Sequence, residues 1–275
     1  MISKILIPTD FSSVANNALQ YAIKLAQKTN AHIFLLHVNN VPIMDASFPN
    51  EVYQTYTAEI EDFAKKSFEN IENLYLNKSN LKFETHTAYG FVNDEIQEFA
   101  KNNDIDLIVL GTTGASGIQE ILIGSNAASV VAKAEIPVLV IPPTSSFTDI
   151  SKIVYASDFN EPEFPSVSRL AYFANLYDAE VSVLHIKSFA DNLFDAEHNF
   201  FSRNKENVEV NKWKIVKLPE GESIIDSINN FVETEQPNLI VLAKHNRSFF
   251  DRLFHRSLSK QMAYHTKTPL LVLNK

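Results

Sequence analysis

Four segments of the first half of this 275-residue chain recur in the second half. The matching pairs are 4–11 with 152–159, 35–38 with 183–186, 107–110 with 239–242, and 137–140 with 269–272. The first two pairs share one offset, and the last two pairs share a smaller one. Such a repeat predicts two similar folding units. The smaller offset predicts a deletion in the second half, which we place in the stretch that corresponds to residues 51–76.

Each half reads as strands that alternate with helices. The apolar pattern of the first half predicts strands near residues 3–8, 32–38, 81–87, 106–110 and 137–141. After the first strand, a helical stripe with Ser12 or Ser13 as its N-cap is formed by Val14, Ala18, Tyr21, Ala22 and Leu25. Short continuous apolar runs are typical of strands buried on both faces. This alternation predicts an α/β fold with a parallel sheet.

The boundary between the two units falls in a stretch without periodicity. Residues 142–146 read Pro-Pro-Thr-Ser-Ser, and we place the interdomain linker there. The chain is 45% apolar, which is enough for two cores of roughly 130 residues each. The sequence therefore predicts domains at residues 1–143 and 149–275.

Charge and cysteine content exclude several classes of function. A net charge of −9 argues against nucleic acid or an anionic membrane as the main partner, since both attract basic surfaces. The absence of cysteine excludes disulfides and thiolate metal sites. The histidines His245, His255 and His265 lie ten residues apart, so we expect no metal site built from protein ligands alone. No signal peptide or spanning apolar run is found, and the cytoplasm is the expected location.

Four of the six glycines lie between positions 111 and 124, directly after the apolar run 107–110. They are Gly111, Gly114, Gly117 and Gly124. Ligands of α/β sheets bind beyond the carboxyl ends of the strands, where glycine lets them approach the backbone. Ser125 could cap the following helix or donate its hydroxyl, and the helix N-terminus would attract anions. A glycine-rich turn with an ordinary serine cap is the alternative that the spacing leaves open.

The whole chain resembles a tandem universal stress protein, with two copies of that family's domain in one polypeptide. The family's nucleotide motif is Gly, two residues, Gly, nine residues, then Gly and Ser or Thr. It is met by Gly111, Gly114, Gly124 and Ser125. An aspartate ends the first strand and Leu-His-Val ends the second, as in the family. The resemblance implies that the first half binds ATP, or ADP or AMP, with Mg²⁺ held mainly by the phosphates.

The resemblance also implies contacts with each part of the nucleotide. Adenine and ribose would be surrounded by Pro8 or Thr9, Asp10, the backbone of Val38, Leu110 and Gly111. The phosphates would meet Gly114, Gly124, Ser125 and Asn126. Asp10 has a second interpretation, as a loop residue that accepts hydrogen bonds from amides at the start of the first helix. Its recurrence as Asp158, in a half without the glycines, supports that interpretation. We nevertheless expect Asp10 to contact the ligand, because loops at the carboxyl ends of strands form the ligand crevice.

The second half departs from the motif. Ala243, Asn246 and Arg256 replace the three motif glycines, while the serine is kept as Ser257. An arginine at the phosphate position should fill the site, which predicts a degenerate domain with a structural or regulatory role. The alternative is another anion, bound by Lys244, Arg247, Arg252 and Arg256.

We therefore expect two Rossmann-like domains of the adenine nucleotide alpha hydrolase type, each a five-stranded parallel sheet of order 3-2-1-4-5 with helices on both faces. The resemblance implies that the last strands of the two sheets pair in an internal pseudo-dimer, and the whole chain could dimerise further. The predicted function is that of a nucleotide-dependent sensor or regulator in stress response, with an unidentified protein partner. Its rivals are a weak ATPase and a nucleotide-free interaction protein. The sequence offers no convincing general base, so we name no catalytic residue and expect at most slow hydrolysis.

Overall fold

The computed structural model describes residues 1–39, 50–112, 124–157, 164–185, 200–202, 212–218, 224–244 and 268–274. The first half contains β1 Lys4–Pro8, α1 Ser13–Thr29, β2 His32–Asn39, α2 Asn50–Ile71 with a π-helical turn Glu72–Leu76, β3 Phe83–Tyr89, α3 Val92–Asn102, β4 Leu107–Gly111, α4 Ser125–Lys133 and β5 Val138–Ile141. The second half contains β6 Lys152–Ser157, α5 Phe164–Tyr177, β7 Glu180–His185, β8 Trp213–Lys217, α6 Ile224–Glu235, β9 Leu239–Ala243 and β10 Leu270–Leu273.

All ten strands form one sheet of order β3-β2-β1-β4-β5-β10-β9-β6-β7-β8. Neighbouring strands within each half are parallel, which confirms the expected order 3-2-1-4-5 in both halves. Strands β5 and β10 pair antiparallel at the centre, with Leu271 opposite Leu139. Each of these strands thus covers the edge that the other would leave exposed. This confirms the expected pairing of the last strands of the two halves.

The strand register locates the difference in length between the halves. In the first half, Ile33 of β2 pairs with Phe83 of β3, and in the second half Val181 of β7 pairs with Trp213 of β8. The paired residues of the second half lie much closer together in the sequence than those of the first. The second half is therefore shorter between its second and third strands. From the third strand to the fourth, the two halves are nearly equal in length. The deletion thus lies in the connection that includes the stretch equivalent to residues 51–76, as the sequence predicted.

Alternate residues of the strands face opposite sides of the sheet. On one side, a single buried cluster runs through both halves, from Leu35 and Leu107 to Tyr155 and Leu239, and includes residues of α1 and α5. On the other side, α3 and α4 pack in one cluster that also includes Val272 of β10, and α6 packs in a second cluster within the second half. The two halves therefore share one core layer on the first side of the sheet, and on the other side β10 of the second half also contributes to the core of the first half.

Helix α1 begins where the sequence predicted. Ser12 is its N-cap and accepts a hydrogen bond from the Ala15 amide at 3.2 Å. The predicted linker follows β5 without helix or strand, and Asn17 Nδ2 of α1 donates to the carbonyls of Pro142 and Ser145. Helix α1 therefore holds the connection between the halves in place. In the part of the chain that the structure describes, none of the helices combines the length and apolar character needed to cross a bilayer.

Candidate functional site

A cleft of about 340 Å³ opens at the carboxyl ends of β1 and β4. Chain connections leave these two neighbouring strands in opposite directions across the sheet, and this is the place where open α/β sheets bind ligands. The cleft is lined by Pro8, Thr9, Asp10, Ala15, Leu36, His37, Val38, Val92, Ile96, Leu110, Gly111, Thr112, Gly124, Ser125, Asn126, Ala127 and Val130. Nine of the ten predicted site residues are among them, and Gly114 lies outside the described residues.

The loop between β1 and α1 forms one wall and is held by hydrogen bonds within the loop and to β2. Thr9 donates its amide to the Leu36 carbonyl of β2 at 2.9 Å, and its hydroxyl accepts from the Phe11 amide at 3.0 Å. Asp10 is exposed, and its Oδ1 accepts from the Ser12 amide at 3.0 Å. This bond is the local role considered for Asp10 in the sequence. It occupies one lone pair of one carboxylate oxygen.

Phe11 lies in the left-handed backbone region, with φ of 62°. A bulky residue there costs of order 1–3 kcal/mol and persists only when its surroundings hold it. Its ring packs against His37, with centroids 4.5 Å apart, and against Phe68 and Phe63 of α2 at 5.1 and 5.8 Å. These aromatic contacts hold the turn that presents Thr9 and Asp10 to the cleft.

His37 ties the end of β2 to the same loop. Its Nδ1 lies 2.8 Å from the Thr9 carbonyl oxygen, which can only accept, so Nδ1 carries the proton. Its Nε2 lies 3.0 Å from the side-chain amide of Asn39. Turning that amide lets its NH₂ group donate to Nε2, and it also gives a partner to Asn39 Nδ2, a buried atom that otherwise has none. His37 thus anchors the end of β2 to the loop after β1 and fixes the neighbouring backbone of Val38.

The opposite wall is formed by the end of β4 and the start of α4. Gly111 passes so close to α1 that a Cβ placed on it would lie 2.6 Å from Val14 Cγ1. Gly124 is the N-cap of α4, with φ of −58°, and among the residues that the structure describes no side chain caps the helix. Ser125 is therefore the first helical residue, and the serine cap considered in the sequence analysis is wrong. The first residues of α4 line the cleft, and no side chain in the described ranges bonds to the amides at the start of this helix.

Thr112 and His37 are cleft residues that the motif did not single out. Thr112 is 6% exposed, and its Oγ1 is buried without a hydrogen-bond partner. Its carbonyl accepts from the Gly124 amide, which joins β4 to the start of α4. The motif leaves this position open to any residue, so only the fold shows its place. His37 had a visible signal, because it recurs as His185 at the end of the second strand of the second half.

The floor of the cleft is apolar. It is contributed by β2, β4, α3 and α4 through Leu36, Leu110, Val92, Ile96, Ala127 and Val130. The exposed Asp10, Ser125 and Asn126 lie around this floor. An apolar floor with polar groups and free amides at its margin suits a ligand with a flat apolar part and an anionic part. Among the described residues, no group of three or more His, Asp or Glu side chains is placed to hold a metal ion.

The equivalent region of the second half is only partly described. Ala243 at the end of β9 is 7% exposed, in the position of Gly111. Lys244, in the position of Thr112, donates its Nζ to the carbonyl of Ala134 in the first half at 3.0 Å. The remaining motif positions, Asn246, Arg256 and Ser257, lie outside the described residues, as do Asp158, Arg247 and Arg252.

Comparison with known proteins identifies the family. The sequence profile of the Universal stress protein family matches residues 1–142 and again residues 150–274. Universal stress protein MJ0531 of Methanocaldococcus jannaschii is 30% identical over 141 residues, which cover 51% of this chain and 82% of that protein. Universal stress protein MJ0577 of the same organism is 31% identical over 159 residues, which cover 51% of this chain and 95% of that protein.

The fold of the whole chain also has a counterpart of known structure. A universal stress protein from Archaeoglobus fulgidus superimposes with a TM-score of 0.75, covering 99% of this chain and 96% of its own, at 17% identity. Likeness at that identity concerns the arrangement of the strands and helices. Together with the repeated profile match, it shows that the chain belongs to the universal stress protein family and carries the family's domain twice.

Proposed function

We propose that the first half of the chain binds ATP, or another adenine nucleotide, in the cleft between β1, β4 and α4. The observation that carries this proposal is the N-terminus of α4, which begins after Gly124 and lines a cleft of about 340 Å³ with an apolar floor. The positive end of the helix dipole and the free amides favour phosphates at that position.

The phosphates would lie at the amides of Ser125 and Asn126 and beside Gly124, whose own amide already donates to the Thr112 carbonyl. Gly124 has no side chain to block their approach, and its φ of −58° is one that any residue adopts. The requirement for glycine at this position is therefore one of space and not of backbone conformation. Gly114 would complete the phosphate contacts. Mg²⁺ would be held mainly by the phosphate oxygens.

Adenine and ribose would occupy the other end of the cleft. Leu110 and Leu36 offer apolar surface to the base, and the backbone of Val38 offers hydrogen-bonding groups at the end of β2. The exposed carboxylate of Asp10 would accept from the ribose hydroxyls, with Pro8, Thr9 and Gly111 in van der Waals contact. A carboxylate suits ribose because it accepts more than one hydrogen bond.

We further propose that the chain acts as a nucleotide-dependent sensor or regulator with two domains, at residues 1–143 and 149–275. The second would have lost the nucleotide and kept a structural or regulatory role, since its position equivalent to Gly124 is Arg256. Hydrolysis, if present, would be slow.

Calorimetric titration of Mg-ATP into nucleotide-free protein tests this function. The variants are Gly124→Arg, which copies the second half, and Gly124→Ala, which adds only a methyl group. Ser13→Arg is the control, because it adds the same charge at an exposed residue outside the cleft. We expect one site per chain in the wild type and in Ser13→Arg, weaker binding in Gly124→Ala, and none in Gly124→Arg.

Each outcome separates the candidate functions. Absence of binding by folded wild type would reject the nucleotide proposal and favour an interaction protein. Binding that survives Gly124→Arg would place the nucleotide elsewhere in the chain. Steady phosphate release from ATP that disappears in Gly124→Arg would favour the weak ATPase.

A further inference from the structure

Helix α4 joins the candidate cleft to the second half of the chain. Its N-terminus lines the cleft, and its C-cap is Ala134, which is 2% exposed. Lys244 of the second half donates its Nζ to the Ala134 carbonyl at 3.0 Å. One end of this nine-residue helix thus faces the proposed phosphates, while the other is held by a cation from the second half.

The antiparallel pairing of β5 with β10 brings Lys244 to this place. Lys244 directly follows β9, and its amide donates to the Leu273 carbonyl of β10 at 2.8 Å. Because β10 runs opposite to β5, the carboxyl end of the second half's sheet lies beside the turn between α4 and β5. Asn274 also donates its Nδ2 to the Ile136 carbonyl in that turn. Two residues of the second half therefore hold the C-terminal end of α4.

A lysine at this position acts on the helix in two ways. The last carbonyls of a helix lack partners within it, and the Nζ of Lys244 satisfies the carbonyl at the C-cap. A cation there also opposes the negative end of the helix dipole, an effect that changes an equilibrium by about two- to fivefold. Both effects keep the helix formed and oriented. Because the helix is about 13 Å long and rigid, its C-terminal end also sets the position of its first amides.

We propose that Lys244 is a positioning residue for the phosphate end of the first cleft, so that nucleotide affinity in the first half depends on a side chain of the second. This inference rests on the proposed nucleotide function for its ligand, although the effect on α4 does not. Lys244 acts through the backbone of α4 and does not touch the nucleotide. Through Lys244, the second half contributes to nucleotide binding in the first half even though the second half has lost the glycine motif.

The test compares Lys244→Met with two other variants in the full-length chain. Lys244→Arg keeps a donor and a charge. Lys152→Met is the matched control, because Lys152 Nζ donates to the Glu235 carbonyl at the end of α6, another helix of the second half, at 3.2 Å. Amide hydrogen exchange of residues 125–133 is measured without ligand, and dissociation constants are measured for Mg-ATP and for adenosine.

We expect Lys244→Met to speed exchange in α4 and to weaken Mg-ATP, each about two- to fivefold. Adenosine should bind as in the wild type, because it lacks the phosphates that face α4. Lys244→Arg should restore both properties, and Lys152→Met should change neither.

Unchanged exchange in α4 of Lys244→Met overturns the inference whatever the wild type binds. Equal weakening of Mg-ATP and adenosine also overturns it, since this would reveal a general loss of structure. Faster exchange in a chain that binds neither ligand would reject the proposed nucleotide function while supporting the action of Lys244 on α4.

Discussion

At Gly111 the end of β4 meets α1 so closely that no side chain fits. A Cβ there would lie 2.6 Å from Val14 Cγ1 and 3.1 Å from the Val14 carbonyl oxygen. We expect Gly111→Ala to destabilise the chain by about 1–3 kcal/mol through overpacking. Urea denaturation measures the loss.

The clash gives this prediction an internal control. Val14→Ala removes the methyl groups that the new Cβ would meet, so Val14→Ala/Gly111→Ala should lose less stability than the two single variants together. Strict additivity in this double-mutant cycle would show that contact with Val14 is not the reason for glycine at position 111.

Tyr21, which lies beside the connection between the two halves, makes the stability of the folded chain depend on alkaline pH. Tyr21 is 3% exposed and packs against Phe147, which directly follows the linker, with ring centroids 4.8 Å apart. Burial, and to a smaller degree Tyr177, raises the pKa of Tyr21 well above its usual value of 10. The neutral hydroxyl is therefore favoured in the folded state. Its contribution to stability is fully present below pH 10 and is lost as the pH rises above it.

We expect stability to fall above pH 10 by about 1.4 kcal/mol per pH unit from this group. Tyr21→Phe should reduce that slope, as measured by urea denaturation at a series of alkaline pH values. The same slope in the variant and in the wild type would assign the alkaline loss to other groups, with Tyr177 as the next to test because burial also raises its pKa.

Helix α1 follows the β1 loop at the cleft and depends on one cap. Ser12 Oγ accepts from the Ala15 amide, whereas the neighbouring Ser13 is exposed and is the first helical residue. We expect Ser12→Ala to cost about 1 kcal/mol. Ser13→Ala, the matched control, should stay within about 0.5 kcal/mol. Chemical denaturation of both variants decides between the two serines, and equal losses would contradict the assigned cap.

The two halves share a ten-stranded sheet and one core layer, so we expect them to unfold as one cooperative unit. Leu139 of β5 is 1% exposed and pairs with Leu271 of β10, so Leu139→Ala should cost about 2–5 kcal/mol. Trp213, the only tryptophan, reports on the second half. We expect its fluorescence transition in urea to shift together with the far-UV circular dichroism of the whole chain.

A control with the same chemistry lies on the surface. Leu74 is 51% exposed in the π-helical turn after α2, so Leu74→Ala should shift both transitions little. Two separate transitions, with Trp213 unfolding at its wild-type midpoint in Leu139→Ala, would show that the halves unfold independently.

The sequence by itself determined the duplication, the class of fold and the position of the candidate cleft. Local patterns in the sequence predict these features. Apolar runs indicate buried strands, helical spacing of apolar residues indicates α1, and a glycine such as Gly111 stands where two segments pass close together. In a parallel α/β sheet, the carboxyl ends of the strands meet at one edge. The fold class therefore predicts that residues following these ends, such as Asp10, Leu110 and Gly124, lie close together.

Only the tertiary structure decided which partners those residues have. The α4 cap falls on Gly124 and not on Ser125, Thr112 is buried at the cleft, and Lys244 reaches across to Ala134. None of these follows from a local pattern, because each depends on how segments distant in sequence pack together. The contact between Lys244 and Ala134 joins residues 110 positions apart, and it exists because β5 and β10 pair antiparallel at the centre of the sheet.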